Sequence, residues 1–166
     1  PQTRLVSLEN TANRGGGSCY SMETLREIAV LCKERNLSLH LDGARLFNAM
    51  VALSQDPIAY GKLFDSISIC LNKGLGCPIG SILLGRTAFI KKARRIRKVM
   101  GGGMRQAGFM AAAGLFALKN NINRLEQDHL HAQTIASSLK KKKWCAKLYP
   151  VETNILLFET EPTFPA

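Results

Sequence analysis

Residues 37–42, LSLHLD, alternate strictly, with Leu37, Leu39 and Leu41 on one face and Ser38, His40 and Asp42 on the other. A period of two predicts a strand that ends at Asp42, where Gly43 turns the chain. DSISICL at 65–71 repeats the pattern, and RLVSLEN at 4–10 and SILLG at 81–85 are apolar runs of strand length. Between these runs the period lengthens to that of a helix. Ser21 is placed to cap a helix with Glu23 in its first turn, and Leu25, Ile28, Ala29 and Cys32 carry an apolar stripe up to Asn36. ARLFNAMVAL at 44–53 reads as a short helix. Strands alternating with helices at this spacing imply crossover connections and a mostly parallel sheet, which is the α/β class.

The second half reads as more helical. In RTAFIKKARRIRKVM, Phe89, Ala93, Ile96 and Met100 share one stripe amid Lys91, Lys92, Arg94, Arg95 and Lys98. GGGMRQAGFMAAAGLFALKNN is a glycine loop followed by an apolar helix of small residues, suited to close burial. A third helix is expected from about 122 to 143, ending in four lysines where cations suit a helix C-terminus. TNILLFET at 153–160 then reads as a strand that opens a further subdomain.

Composition narrows the class. The 166 residues are 46% hydrophobic and 21% charged, enough for a sizeable core and unlike a disordered tail. Five cysteines, widely spaced and never in a C-x-x-C pair, suggest neither a disulfide framework nor a zinc site, and point to a reducing, cytoplasmic home. There is no leader-like segment and no run of about 18 apolar residues, so no membrane partner is expected. The net charge of +11 admits nucleic acid, an anionic surface or a small anion. The basic helix has no interleaved aromatics for base stacking, which argues against nucleic acid. The chain opens at Pro1 without an initiator Met and closes just after a strand-like segment, and is read as a fragment.

The candidate chemistry lies at strand ends. Ligands of open α/β sheets sit outside the carboxyl ends of the strands, where both Asp42 and Lys73 are expected. In SICLNKGLGCPIGS, Lys73 follows an apolar strand, and glycines at 74, 76 and 80 would let a ligand approach the backbone. A lysine in a partly dry pocket becomes a competent amine for a carbonyl, whereas the plain alternative is a surface lysine in a glycine-rich turn. Asp42 has its own plain alternative, a carboxylate capping the next turn. His40 reads as structural. The glycine triplets at 15–17 and 101–103 match no phosphate-loop pattern, although Arg105 beyond the second would strengthen an anion site.

Taken in order, SLENTANRGGGSCY, HLDGARLFNA, SICLNKGLGCPIGS, RKVMGGGMRQAG, AAAGLFAL and VETNILLF resemble the threonine aldolases, pyridoxal-phosphate enzymes of fold type I. The resemblance implies the aminotransferase-like large domain in incomplete form. Residues 1–120 would form part of the cofactor-binding domain, 121–150 a connecting helix, and 151–166 the start of the C-terminal small subdomain. It implies that Lys73 forms the Schiff base with pyridoxal 5'-phosphate and that Asp42 pairs with the pyridine nitrogen. Arg45 would hold the substrate α-carboxylate, and Lys98 and Arg105 would lie near the cofactor, Arg105 toward its phosphate and in a neighbouring subunit.

The implied reaction is cleavage of the Cα–Cβ bond of threonine-type β-hydroxy amino acids to glycine and an aldehyde. No metal is implied, and the full-length enzyme is expected to be a cytoplasmic homotetramer. The sequence departs from the family pattern at Ala12, where E-N-T-H-N is usual, and at Asn72, where Ser is usual. The first leaves the catalytic base unassigned. Two other readings stand beside this one: a related β-eliminating lyase, and a non-catalytic basic binding fragment. The isolated 166 residues are expected to have weak or no activity.

Overall fold

The structure is a computed structural model that describes residues 2–164. Its centre is a four-stranded sheet in the order β1 (Leu5–Glu9), β2 (Ser38–Gly43), β3 (Ser66–Cys70) and β4 (Ser81–Gly85). The first three run parallel, with Glu9 opposite Asp42 and Asp42 opposite Ser68. β4 returns antiparallel to β3, so the sheet is mixed but mostly parallel. All three parallel strands therefore deliver their C-terminal loops to one edge.

Helix α1 (Met22–Glu34) crosses from β1 to β2, and its start is set by Ser21, whose hydroxyl accepts from the Thr24 amide at 3.1 Å. Asn36, just past its end, takes the left-handed conformation that lets the chain turn into β2. Helices α2 (Leu46–Leu53) and α3 (Pro57–Leu63) make the crossover from β2 to β3. The sequence pattern omits α3, although its signals are local: Asp56 accepts from the Ile58 amide at 3.0 Å, and Pro57 occupies the first turn, where its missing N–H costs nothing.

The alternation in β2 is realised as burial. Leu39 and Leu41 join Ile67 and Ile69 of β3, Leu25 and Cys32 of α1, Leu46 and Met50 of α2, and Tyr60 and Phe64 of α3 in one core. Each fully buried aliphatic side chain contributes about 1.5–3 kcal/mol, so this layer fixes the register that sends His40 and Asp42 to the opposite, half-buried face. There His40 Nδ1 lies 2.8 Å from the hydroxyl of its cross-strand partner Ser66, in keeping with a structural role. A second core of Leu71, Leu75, Cys77, Ala117 and Leu125 forms beyond the end of β3.

The second half departs from its sequence pattern in three places. α4 (Thr87–Val99) buries no residue, and α5 (Gly108–Asn120), read as suited to burial, buries only Gly114 and Ala117. α6 (Leu125–Leu139) stops short of the lysine run, whose first members close into tight turns through Lys141 N to Ser138 O and Lys142 N to Leu139 O. Of TNILLFET only Phe158–Thr160 is a strand, β6, paired antiparallel with β5 (Cys145–Leu148). The preceding residues dock instead: Thr153 is fully buried and its hydroxyl donates to Gly17 O at 2.8 Å. Gly17 has a φ of 80°, and a Cβ there would stand 3.0 Å from the Ile155 Cβ.

Candidate active site

Three loops meet at the C-terminal edge of the parallel strands. The loop after β1 carries Asn10, Thr11, Ala12 and Asn13. The turn after β2 carries Asp42 and Arg45, and the loop after β3 carries Asn72 and Lys73. The first two are joined directly, because Arg45 Nη1 donates to Asn13 Oδ1 at 2.8 Å.

Asp42 is half-buried, and its Oδ1 accepts from the Ala44 amide at 3.1 Å, a side-chain turn that bends the chain beyond Gly43. It does not cap α2, whose N-cap is Arg45 without a side-chain bond. Among the described residues no hydrogen bond or ion pair engages the second carboxylate oxygen. A carboxylate fixed at one oxygen and free at the other can pair with a cationic ring nitrogen or an amine.

Lys73 is exposed at the crest of a tight loop. The loop closes on itself through Gly76 N to Lys73 O at 2.9 Å and Cys77 N to Leu71 O at 3.0 Å, with Gly76 at a φ of 75°. It is also held from below. Asn121 Nδ2 donates to Leu75 O at 2.7 Å and Arg124 Nη2 to Gly74 O at 3.0 Å. The lysine is thus presented by a rigid base.

Ala12 lies in a short antiparallel bridge with Ser18 and offers no proton acceptor of its own. Its neighbour Asn10 is fully buried and belongs to a closed ring of hydrogen bonds. Asn10 Nδ2 donates to the Tyr60 hydroxyl at 3.1 Å, and Tyr60 donates to Gln55 Oε1. Gln55 Nε2 donates to Tyr20 O at 3.3 Å, and Tyr20 N returns to Asn10 Oδ1 at 3.3 Å. Burial first, and the nearby Cys19 second, push the Tyr60 hydroxyl up to about 12. Cys19 itself is pushed up to about 12, by burial and then by the Glu152 carboxylate, so it stands as an unreactive thiol.

Asp42, Arg45 and Lys73 therefore share one edge, which strand-end positions predict for Asp42 and Lys73 and the family resemblance for Arg45. Lys98, near the end of α4, packs over Gly103, where a Cβ would lie 3.4 Å from its Nζ, and Arg105 is exposed on the following loop. Among the described residues no hydrogen bond or ion pair ties either to Asp42, Arg45 or Lys73. Asn13 and Asn10 carry no sequence signal, since their partners lie 32 and 50 positions away. A cavity of about 770 Å³ lined by Lys33, Asn36, Asp65 and Arg86 opens at the opposite, N-terminal edge of the strands and is separate from this site.

A family model described as Beta-eliminating lyase matches residues 1–162. The chain belongs to that family. Among its relatives, "Low specificity L-threonine aldolase" of Escherichia coli (strain K12) is 48% identical over 155 residues, which are 93% of this chain and 45% of that protein. "Low-specificity L-threonine aldolase 1" of Arabidopsis thaliana is 43% identical over 162 residues, 97% of this chain and 45% of that protein. A solved structure from Exiguobacterium sp. 255-15, provisionally named an aromatic amino acid beta-eliminating lyase/threonine aldolase, superposes with a TM-score of 0.81 at 29% identity. That superposition covers 89% of this chain and 42% of the other. This member of the Beta-eliminating lyase family thus spans about half the length of the curated relatives it matches.

Proposed function

We propose that the whole protein is a pyridoxal-phosphate-dependent aldolase that cleaves the Cα–Cβ bond of threonine-type β-hydroxy amino acids to glycine and an aldehyde. The observation that carries this reading is the presentation of Asp42, Arg45 and Lys73 on one edge of the parallel strands. The relatives named threonine aldolases support the same reading at 43% and 48% identity.

The donor set fits the cofactor. A carboxylate with a free oxygen suits a pyridine nitrogen, an exposed amine on a rigid loop suits an aldehyde, and a guanidinium suits a carboxylate. When bound, pyridoxal phosphate supplies an electron sink for the bonding electrons of the substrate. The chain supplies the rest. Asp42 keeps a proton on the ring nitrogen, and its Ala44 bond stops the carboxylate from rotating away. Lys73 holds the cofactor aldehyde from a loop that is itself hydrogen-bonded from below. Arg45, steadied by Asn13, binds the substrate α-carboxylate with its forked donors. Arg105 and Lys98 serve the phosphate side, Arg105 reaching a neighbouring subunit. Because residue 12 is alanine, the proton of the β-hydroxyl leaves to a base other than that side chain.

The same reading makes residues 1–120 part of the cofactor domain, 121–150 the connector and 151–166 the opening of a small subdomain. It also makes the enzyme a cytoplasmic homotetramer. Phe109, Leu115 and Phe116 on α5 are 83%, 61% and 63% exposed, which suits a surface that packs elsewhere in the full assembly. The family description favours one second reading, β-elimination on the same residues.

Borohydride reduction of the full-length protein with its cofactor, followed by peptide mass spectrometry, tests the assignment. The cofactor is expected on Lys73, and a label at another residue or no label overturns it. Glycine release from threonine, against pyruvate or ammonia release from β-substituted amino acids, separates the two reactions.

A further inference from the structure

Beneath the lysine loop lie two buried polar side chains that the proposed reaction does not use. Asn48 on α2 is 2% exposed and His129 on α6 is 6% exposed. Asn48 Nδ2 donates to His129 Nε2 at 3.2 Å, which leaves the ring proton on Nδ1. Burial lowers the imidazole's proton affinity, against the opposing pull of Asp128 and Glu126, and so favours this neutral form.

Both helices that carry the pair touch the site. A Cβ placed on Gly74, next to Lys73, would stand 2.8 Å from Leu125 Cδ2 and 3.3 Å from Asn48 Oδ1. Leu125 lies one helical turn before His129 and shares its face of α6. On the other side, the Asn48 backbone N–H donates to Arg45 O at 3.0 Å, so Asn48 also stands one turn from the residue assigned to the substrate carboxylate. One buried hydrogen bond thus connects the seat of the lysine loop to the start of the arginine helix.

We propose that Asn48 and His129 are positioning residues that hold the Lys73 loop and the Arg45 end of α2 at a fixed separation. The proposal rests on the assignment of Lys73 and Arg45 above. The pair touches neither reactant. It acts through Gly74, which must lack a side chain for the loop to seat on Leu125 and Asn48. Without an acceptor at residue 129, the buried side-chain Nδ2 of Asn48 is unpaired and draws α2 away from the loop.

The test uses hydrogen–deuterium exchange of the cofactor-free, full-length protein, read on peptides covering 71–77 and, for comparison, the β2 and β3 cores. His129→Leu keeps the volume but removes the acceptor, and exchange in 71–77 is expected to rise about tenfold while the strand peptides stay within about twofold. His129→Gln restores an acceptor and is expected to match the unmodified protein. Gly74→Ala disturbs the same contact from the other side and is expected to loosen 71–77 as His129→Leu does. In the loaded enzyme, His129→Leu should weaken cofactor retention on dialysis, and His129→Gln should restore it.

Unchanged exchange in 71–77, or an equal rise in every core peptide, overturns the proposal. If His129→Leu does not fold, the other two variants decide: His129→Gln loosening the loop or Gly74→Ala leaving it protected overturns it equally. Because exchange is read without cofactor, its failure is distinct from a borohydride label found away from Lys73.

Discussion

The hydrogen-bonded ring around Asn10 gives a quantitative prediction. Tyr60→Phe preserves the ring packing of a fully buried side chain but deletes the hydroxyl that accepts from Asn10 and donates to Gln55. It strands the buried Asn10 Nδ2, at a cost of about 1–3 kcal/mol, and removes a second bond worth about 1 kcal/mol, so the loss should be about 2–4 kcal/mol. Asn10→Ala deletes the same Tyr60 bond and also leaves the Tyr20 amide without its acceptor, for a similar loss. Because the Asn10–Tyr60 bond is lost in both variants, the double variant should fall short of the sum by about 1–2 kcal/mol. Urea denaturation of the full-length protein at fixed concentration provides the measurement, through midpoints that shift with an unchanged slope. Additivity within about 0.5 kcal/mol, or single losses below about 1 kcal/mol, would refute the ring as a cooperative element.

Three further outcomes follow from the site and its supports. Cys19 and Tyr60 both have their proton affinity raised, from 9.0 and 10.0 to about 12, so the stability they lend is complete below about pH 9 and is lost as pH rises toward 12. Thermal midpoints taken from pH 8 to 11 should fall, less steeply in Tyr60→Phe, and an identical slope in that variant contradicts the assignment. Asp42→Asn keeps an oxygen for the Ala44 amide but loses the charge, so kcat/KM should drop about ten- to hundredfold with the melting temperature unchanged; full activity excludes the ring-nitrogen role. Gly17→Ala strains a positive φ and crowds Ile155, and should expose residues 153–157 to limited proteolysis, whereas unaltered cleavage would show that this docking does not depend on Gly17.

What the amino-acid pattern disclosed was local. β2 was legible because alternation becomes burial within six residues, and α1 because Ser21 and Thr24 are neighbours on the chain. The placement of Asp42 and Lys73 at one edge of the sheet was legible because strand ends are visible in sequence. The resemblance to threonine aldolases supplied Arg45 and the roles. The misreadings share a different cause. TNILLFET has strand composition, but Thr153 is buried and its hydroxyl finds Gly17 O, 136 positions away, so the start of the segment docks on the β1 loop and only its last three residues pair as a strand. α5 has the composition of a buried helix, yet the described chain covers little of it. The antiparallel return of β4 and the seat beneath Gly74 likewise depend on partners that no window of sequence contains.

The sheet has a consequence for handling this polypeptide by itself. β1 and β4 are its outer strands, and among the described residues neither has a partner on its far side. Leu5 is 53% exposed on one, and Leu83 and Leu84 are 40% and 43% exposed on the other. Apolar edges with unpaired backbone groups template further strands, so the 166 residues expressed alone should build intermolecular β-structure and collect in inclusion bodies despite their high positive charge.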